Sequence, residues 1–425
     1  MSVALVLIFA LSLVAGVPVA AALGLSAGAV VLLYGLPLTV VAQRAVNALD
    51  STPLLAVPLF ILAASLLNAA GVTTHLFELV RLLFGRVKGA IAQVSVLVSL
   101  VFSGISGAAL ADIGALGRVQ IEEMRRQGYR DRFAAGVTMA AATIGPIFPP
   151  SIPIIIYASV ANVSAVKLLL AGIVPALVIT LLLMGQIAVI ARLKGLPQDD
   201  ARASARAIGR QALISLPALL APVILIGGLM TGYFGPTEVA GVTVAYALFV
   251  GFAVYRTLTP GKVLAAMRET VDATAGVLFI VASAALFAWV LTLDRVPMTI
   301  GALLLGVSDD PLILLALVNV LLLVVGMVVE AIAAILILAP IVAPALTAAG
   351  VDPLQLGIVF VLNLMIGLLT PPVGMSLYMV SIVARLPLAT VIAGALPFLL
   401  PLLLSLAAVS VVPALSTWLP NLFIK

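Results

Sequence analysis

The chain has 425 residues, of which 64% are hydrophobic and 9% charged, with a net charge of +5. No soluble domain of this length covers that much apolar surface with so few charges, so a lipid bilayer is its solvent. Cysteine is absent and histidine occurs once, which excludes disulfides and thiol chemistry, and no GxxxxGKS/T loop offers ATP a phosphate cradle. The basic excess reads as membrane orientation, not nucleic-acid binding.

The chain opens with MSVALVLIFALSLVAGVPVAAALGL, whose first Lys or Arg is Arg44. Without a basic leader this reads as a retained span, not a cleaved signal. Crossings are expected near 2–16, 17–35 and 54–71, with interfacial helices at 37–50 and 73–87. His75, in HLFELVRLLF, is most simply an interfacial side chain.

Basic residues then cluster at Arg81, Arg86 and Lys88, and again from Arg118 to Arg132. Basic clusters mark the cytoplasmic side. Only the segment 89–117 separates them, whereas two full crossings need roughly 40 apolar residues. One crossing would put the two clusters on opposite faces. A re-entrant hairpin tipped at SGISG (103–107) keeps both inside.

Next comes TIGPIFPPSIPIIIY, with prolines at 146, 149, 150 and 153 in an apolar span at 133–163. A proline inside a helix removes a donor and clashes with the preceding turn, at about 3 kcal/mol. The helix should therefore break here. A further crossing follows near 168–191.

The pattern recurs. GLLTPPVGMSLY carries Pro371 and Pro372, and 371 − 149 = 222. The same shift places Gly104 on Gly326, Gly128 on Gly350, Gly145 on Gly367, Gly172 on Gly394 and Pro175 on Pro397. Two related halves are implied, 1–200 and 211–425, joined by a cytoplasmic link at 201–210. In the second half, crossings are expected near 211–231, 239–255, 273–293, 354–384 (broken) and 387–412, with interfacial helices at 259–272 and 296–307. Its hairpin, 311–339, is flanked by Asp309, Asp310 and Asp352, and no Lys or Arg occurs between Arg295 and Arg385. It should open outward. The fold class is thus an all-α polytopic membrane protein of two inverted-topology repeats, each with a re-entrant hairpin and a proline-broken transmembrane helix. This topology puts 17 of the 21 basic residues inside.

Irregular backbone at membrane depth is tolerated only when buried in protein or lining a polar cavity. Two tips and two breaks would meet near the midplane. Freed carbonyls and helix C-termini suit a hard cation such as Na⁺, and helix N-termini suit an anion. Ordinary proline kinking is the bland alternative, and duplication in register argues against it. Acids at membrane depth are functional candidates because burying them costs several kcal/mol. They are Asp112 on the first hairpin's return arm and Glu330 at the second tip. Glu238 in GPTEVAG could equally cap a helix at the outer interface.

FSGISGAALADIGALG, GPIFPPSIPIIIY, GPTEVAG, GMVVEAIAAILILAPIVAP, GVDPLQLGIV and LLTPPVGMSLY together resemble the large membrane subunit (DctM type) of tripartite ATP-independent periplasmic (TRAP) transporters. The resemblance begins with GVPVAAALGL and covers nearly the whole chain. It implies an elevator-type secondary transporter in the bacterial inner membrane, importing an organic acid with Na⁺, two or more ions. It also implies a small four-helix membrane subunit (DctQ type) and a periplasmic substrate-binding protein (DctP type) as partners. The family's ion-site pattern falls on Ser103, Ser106, Gly107 and Asp112, with the break from Gly145 to Pro150. Its counterpart falls on Gly326, Glu330, Thr370, Pro371 and Gly374. Substrate would lie near Ser106, Pro149, Asn363 and Thr370.

Two departures stand out. The family often has SGS at the first tip, where this chain has Ser106-Gly107-Ala108, and Glu330 stands where the family often has Asp. No four-helix segment follows within the sequence, so the small subunit is expected to be a separate protein. Rival readings are a stand-alone Na⁺/dicarboxylate symporter, a passive channel and a lipid-active enzyme. The last lacks any nucleophile–base or metal constellation.

Overall fold

The computed structural model describes residues 1–84, 88–196 and 204–424, and these are helical with no strand among them. In lipid a helix satisfies its own backbone, which is why the apolar runs all take this form. The first half begins with α1 (Ser2–Val14), α2 (Val19–Leu33) and α3 (Leu38–Leu49). A 3₁₀ turn at Thr52–Leu55 leads into α4 (Ala56–Ala69), followed by α5 (Val72–Phe84). The hairpin comprises α6 (Ala90–Ser106), α7 (Ala109–Asp112), a π-helical turn at Ile113–Gly117 and α8 (Arg118–Arg126). The broken helix is α9 (Asp131–Ala142) and α10 (Ile152–Ala161), and α11 (Ala165–Ala171) and α12 (Ile173–Lys194) close the half.

The second half repeats this order. It has α13 (Ala205–Met230), α14 (Pro236–Phe249) ending in a π-helical turn, α15 (Pro260–Leu293) and α16 (Val296–Val307). The second hairpin is α17 (Pro311–Gly326) and α18 (Ala331–Ala348), and the second broken helix is α19 (Pro353–Gly367) and α20 (Met375–Ala384). The chain then runs through α21 (Leu388–Val411) and α22 (Ala414–Phe423). Helix starts follow local chemistry. Asp310 and Asp352 cap α17 and α19 by accepting from the N–H groups of Leu312 and Leu354, both at 2.8 Å, with Pro311 and Pro353 at the first helical position.

The two halves interlock reciprocally. The return arm of the first hairpin packs on α20, and that of the second packs on α10. Likewise α14 packs on α4, and α15 on α2. At the centre, α9 and α21 touch backbone to backbone: a Cβ on Gly136 would strike the Gly394 carbonyl, and one on Gly394 the Arg132 carbonyl. Every residue of α19 from Leu354 to Gly367 is buried. The periphery is different, with apolar side chains such as Val14, Leu33, Leu213 and Val271 facing outward. Lipid or a membrane partner covers such a surface.

Several boundaries differ from the sequence expectation. Both return arms run past 117 and 339, to Arg126 and Ala348. The segment 259–272 is no separate interfacial helix but the first part of the 34-residue α15, because no breaker interrupts RETVDATAG. Of the expected link, 201–203 lie outside the described residues, as do Arg86 and Lys425, and from Ala205 the chain is already α13.

Candidate functional site

At the first tip, α6 ends at Ser106 and Gly107 takes φ +69, a left-handed conformation that side chains other than glycine resist. A Cβ there would also collide with the Pro150 carbonyl oxygen. Glycine thus lets the tip touch the break, and the Gly107 carbonyl accepts from the Ile152 N–H at 3.3 Å. This contact fixes the depth of the hairpin. The break lies between the 12 residues of α9 and the 10 of α10, about 18 Å and 15 Å of helix. A tip held at that level has entered part-way and turned back.

Asp112 is 1% exposed. Its Oδ1 accepts a hydrogen bond from the Ser106 hydroxyl, while Oδ2 has no partner. That free oxygen faces Gly145, where a Cβ would land on it. Ser103 donates to the Ser99 carbonyl at 2.6 Å. Ser151 donates to the Pro146 carbonyl and accepts from the Ile154 N–H at 3.2 Å, capping α10. Carboxyl ends of two helices, freed carbonyls and one half-satisfied carboxylate converge here. Their oxygen character suits a hard cation.

The second tip is built alike but filled differently. The Met327 carbonyl accepts from the Val373 and Gly374 N–H groups at 3.2 and 3.1 Å, tying tip to break. Gly326 meets Gly367, where an added Cβ would lie 2.5 Å from the Gly326 carbonyl carbon. Glu330 caps α18 through the Ala333 N–H at 3.1 Å and is only half-buried. Thr370 donates to the Ile366 carbonyl at 2.8 Å. Gly374, next to the Pro371–Pro372 turn, has φ +50. The buried Ser376 hydroxyl there has no partner, although sequence reasoning passed it over.

One cavity of about 250 Å³ joins the two tips. Ser106 and Ala109 of the first tip and Glu330 and Ile332 of the second line it together, with Pro146 and Pro153 from the first break and Met365 and Leu368 from the second. The remaining wall is α4 (Ile61, Ser65) and α15 (Glu269, Val277). Two carboxylates and no Lys or Arg line it. Glu269 was hidden from the sequence reading by its assignment to an interfacial helix. Of the residues expected at the solute, Ser106 lines the cavity while Thr370, Pro149 and Asn363 do not, and Glu238 lies elsewhere too. Asn363 donates to the Asn319 carbonyl (2.9 Å) and side-chain oxygen (2.7 Å), fastening α19 to α17. Pro149 is buried behind the cavity wall in a cis Pro149–Pro150 bond. Glu238 stands in the first turn of α14, folded over Gly235, away from both tips. No cluster of three or more His, Cys, Asp or Glu exists among the described residues.

Half-depth hairpins, interrupted helices and a shared cavity on a lipid-facing body fit a multi-pass membrane transport protein. The family model described as "Tripartite ATP-independent periplasmic transporter, DctM component" matches residues 5–415. The chain is 42% identical over 386 residues, 90% of each chain, to the sialic acid TRAP transporter large permease protein of Vibrio cholerae. It is 38% identical to the C4-dicarboxylate TRAP large permease of Pseudomonas aeruginosa, covering 94% of this chain and 93% of that one. The YdaH transporter of Alcanivorax borkumensis, solved by crystallography and described as having an unusual topology, shares the fold. Its TM-score is 0.62 at 18% identity, covering 88% of this chain and 87% of that one. The chain belongs to the DctM family of TRAP transporter large permeases, and its place is the bacterial inner membrane.

Proposed function

We propose that this chain carries a small organic acid inward together with Na⁺, by an elevator-like movement, after a periplasmic binding protein delivers the solute. The relatives named for sialic acid, C4-dicarboxylates and 2,3-diketo-L-gulonate support the solute class. The carrying observation is the composition of the cavity wall: both tips on one side, and α4 and α15 on the other. The hairpins and broken helices form the moving unit, and α4 and α15 belong to the static frame. A small four-helix subunit would cover the apolar outer face of that frame.

With no Lys or Arg in the cavity, an anion needs another source of positive charge. The N-terminus of α10 supplies part of it, since Ile152 lines the space, whereas that of α18 is already capped by the Glu330 carboxylate. Na⁺ bound between Asp112, the α6 carboxyl end and the Gly145 backbone supplies the rest, so solute and ion bind cooperatively. Inward movement of net positive charge draws about 2.3 kcal/mol per charge per 100 mV from the membrane potential.

A second cavity, of about 320 Å³, lies further along α15 at Val281 to Ala288. The outer end of that helix is the one away from Arg256, Lys262 and Arg268, whose basic cluster marks the inner side. The tip cavity, at Glu269 to Val277, is therefore displaced toward the inner side, as in an inward-facing state. Beside the outer cavity, Ser51 of the frame and Ser159 of α10 are hydrogen-bonded at 2.9 Å. The chain has no cysteine, so Ser51→Cys/Ser159→Cys introduces a lone pair. Oxidation should stop Na⁺-driven uptake by the reconstituted transporter, and reductant should restore it. Wild-type uptake by fully cross-linked protein would rule out the elevator reading.

A further inference from the structure

The inner ends of α9, α12 and α21 enclose a cavity of about 360 Å³, separate from both tips. Arg130, Arg132 and Lys194 stand around it over a floor that includes Phe133, Ile190 and Phe398, and no Asp or Glu among the described residues lines it. Four other basic residues on the same side are paired. Arg81 reaches Glu78 at 3.0 Å, Arg118 reaches Glu122 at 2.8 Å, Arg125 reaches Asp131 at 2.5 Å and Arg126 reaches Glu123 at 3.5 Å. Arg130 and Lys194 have no ion pair among the described residues, and Arg132 donates only to the Ala393 carbonyl, at 2.7 Å.

Surface basic residues that merely orient a chain need no concave site, and four of them here pair with acids. Here three cations converge without one. The apolar floor continues onto Val189 and Leu193 of α12, which are 55% and 80% exposed. A free phosphate would have no use for that surface, whereas an acyl chain would. Basic pockets between helices on the cytoplasmic side attract anionic headgroups, at about 1 kcal/mol per cation near the surface.

We propose that this cavity binds the headgroup of an anionic phospholipid such as phosphatidylglycerol, its phosphate among Arg130, Arg132 and Lys194 and an acyl chain along α12. Bound there, the lipid ties together the inner ends of three helices whose packing holds the first broken helix. The site is independent of the solute and ion assignments above.

Native mass spectrometry of the purified full chain tests this, with dioleoyl phosphatidylglycerol and dioleoyl phosphatidylcholine as probes. The anionic lipid should be retained in preference. Arg130→Gln/Lys194→Gln should weaken it roughly 30-fold, while Arg118→Gln/Arg126→Gln, removing as much charge from the same side, should change it less than about threefold. Equal retention of both lipids overturns the proposal, and so does equal loss in both double variants. Displacement of the lipid by millimolar inorganic phosphate would mark a phosphate site and overturn it too. Both altered side chains are exposed, and a thermal melt of each variant separates loss of the site from loss of fold.

Discussion

Asp112 and Glu330 sit on the return arms of two hairpins related by a shift of 222, yet at different positions: 112 + 222 = 334 is an alanine, and 330 − 222 = 108 is another. The glycines opposite them do correspond, since 145 + 222 = 367. At the first tip Gly145 leaves room for a carboxylate oxygen, and at the second Gly367 leaves room for the backbone of Gly326. One backbone plan has therefore been given two electrostatic interiors. The first hides its acid inside the protein with one oxygen unsatisfied. The second holds its acid as a helix cap at the edge of the shared cavity. The sealed acid suits an ion stripped of water, and the displayed acid suits whatever enters the cavity.

Neutralising the sealed acid should have the largest effect. Asp112→Asn keeps an acceptor for Ser106 but removes the charge, and should lower Na⁺-driven uptake by about 100-fold or more, since a hard cation depends on ligand charge. The loss should appear in the Na⁺ dependence at saturating solute. Wild-type Na⁺ activation in that variant would take Asp112 out of the ion site. Glu330→Gln retains the cap but removes the charge that would pair with a cation bound beside the solute, and should cost roughly tenfold, read in the solute KM. Glu330→Ala also loses the cap, worth about 1 kcal/mol, and should cost roughly 50-fold while the protein stays folded. If both acids changed the same kinetic parameter, the division between the tips would be wrong.

The paired glycines sharpen the same contrast at a smaller scale. Gly145→Ala should mimic Asp112→Asn, because its methyl group meets the carboxylate oxygen. Gly367→Ala meets backbone instead, and overpacking of that kind costs about 1–3 kcal/mol. Its signature is a lower thermal midpoint with the Na⁺ dependence of the folded fraction unchanged. Similar melting curves for the two variants would erase the distinction.

These sites were legible because glycine and proline are costly in helices, so each one carries information that a leucine does not. Pro149–Pro150 and Pro371–Pro372 located both breaks, and Gly107 and Gly326 both tips. Helix ends beyond the lipid were harder to read. α8 continues into water on i,i+4 and i,i+3 charge pairs such as Arg118–Glu122, and hydropathy stops counting there. α19 is buried on every face, so periodicity could not show that Asn363 turns toward α17 rather than the cavity. Ser376, two residues after Gly374, carried no signal beyond that proximity.

Glu269 offers the smallest effect and the most direct check on orientation. It stands on the α15 wall of the cavity that Glu330 also lines, without a hydrogen bond or ion pair among the described residues, and is solvent-exposed. Two unit charges 4 Å apart in water interact by about 1 kcal/mol, less with salt, so its repulsion of an anion should be worth roughly two- to fivefold in affinity. If α15 belongs to the static frame, as proposed above, the moving site meets it only when the cavity faces inward. Glu269→Gln should therefore tighten solute binding from the inner side by that factor, measured as the KM for efflux or counterflow. The outer KM should stay as it is. The reverse pattern would mean that the cavity between the tips opens outward. An unchanged KM on both sides would mean that the solute never passes this wall.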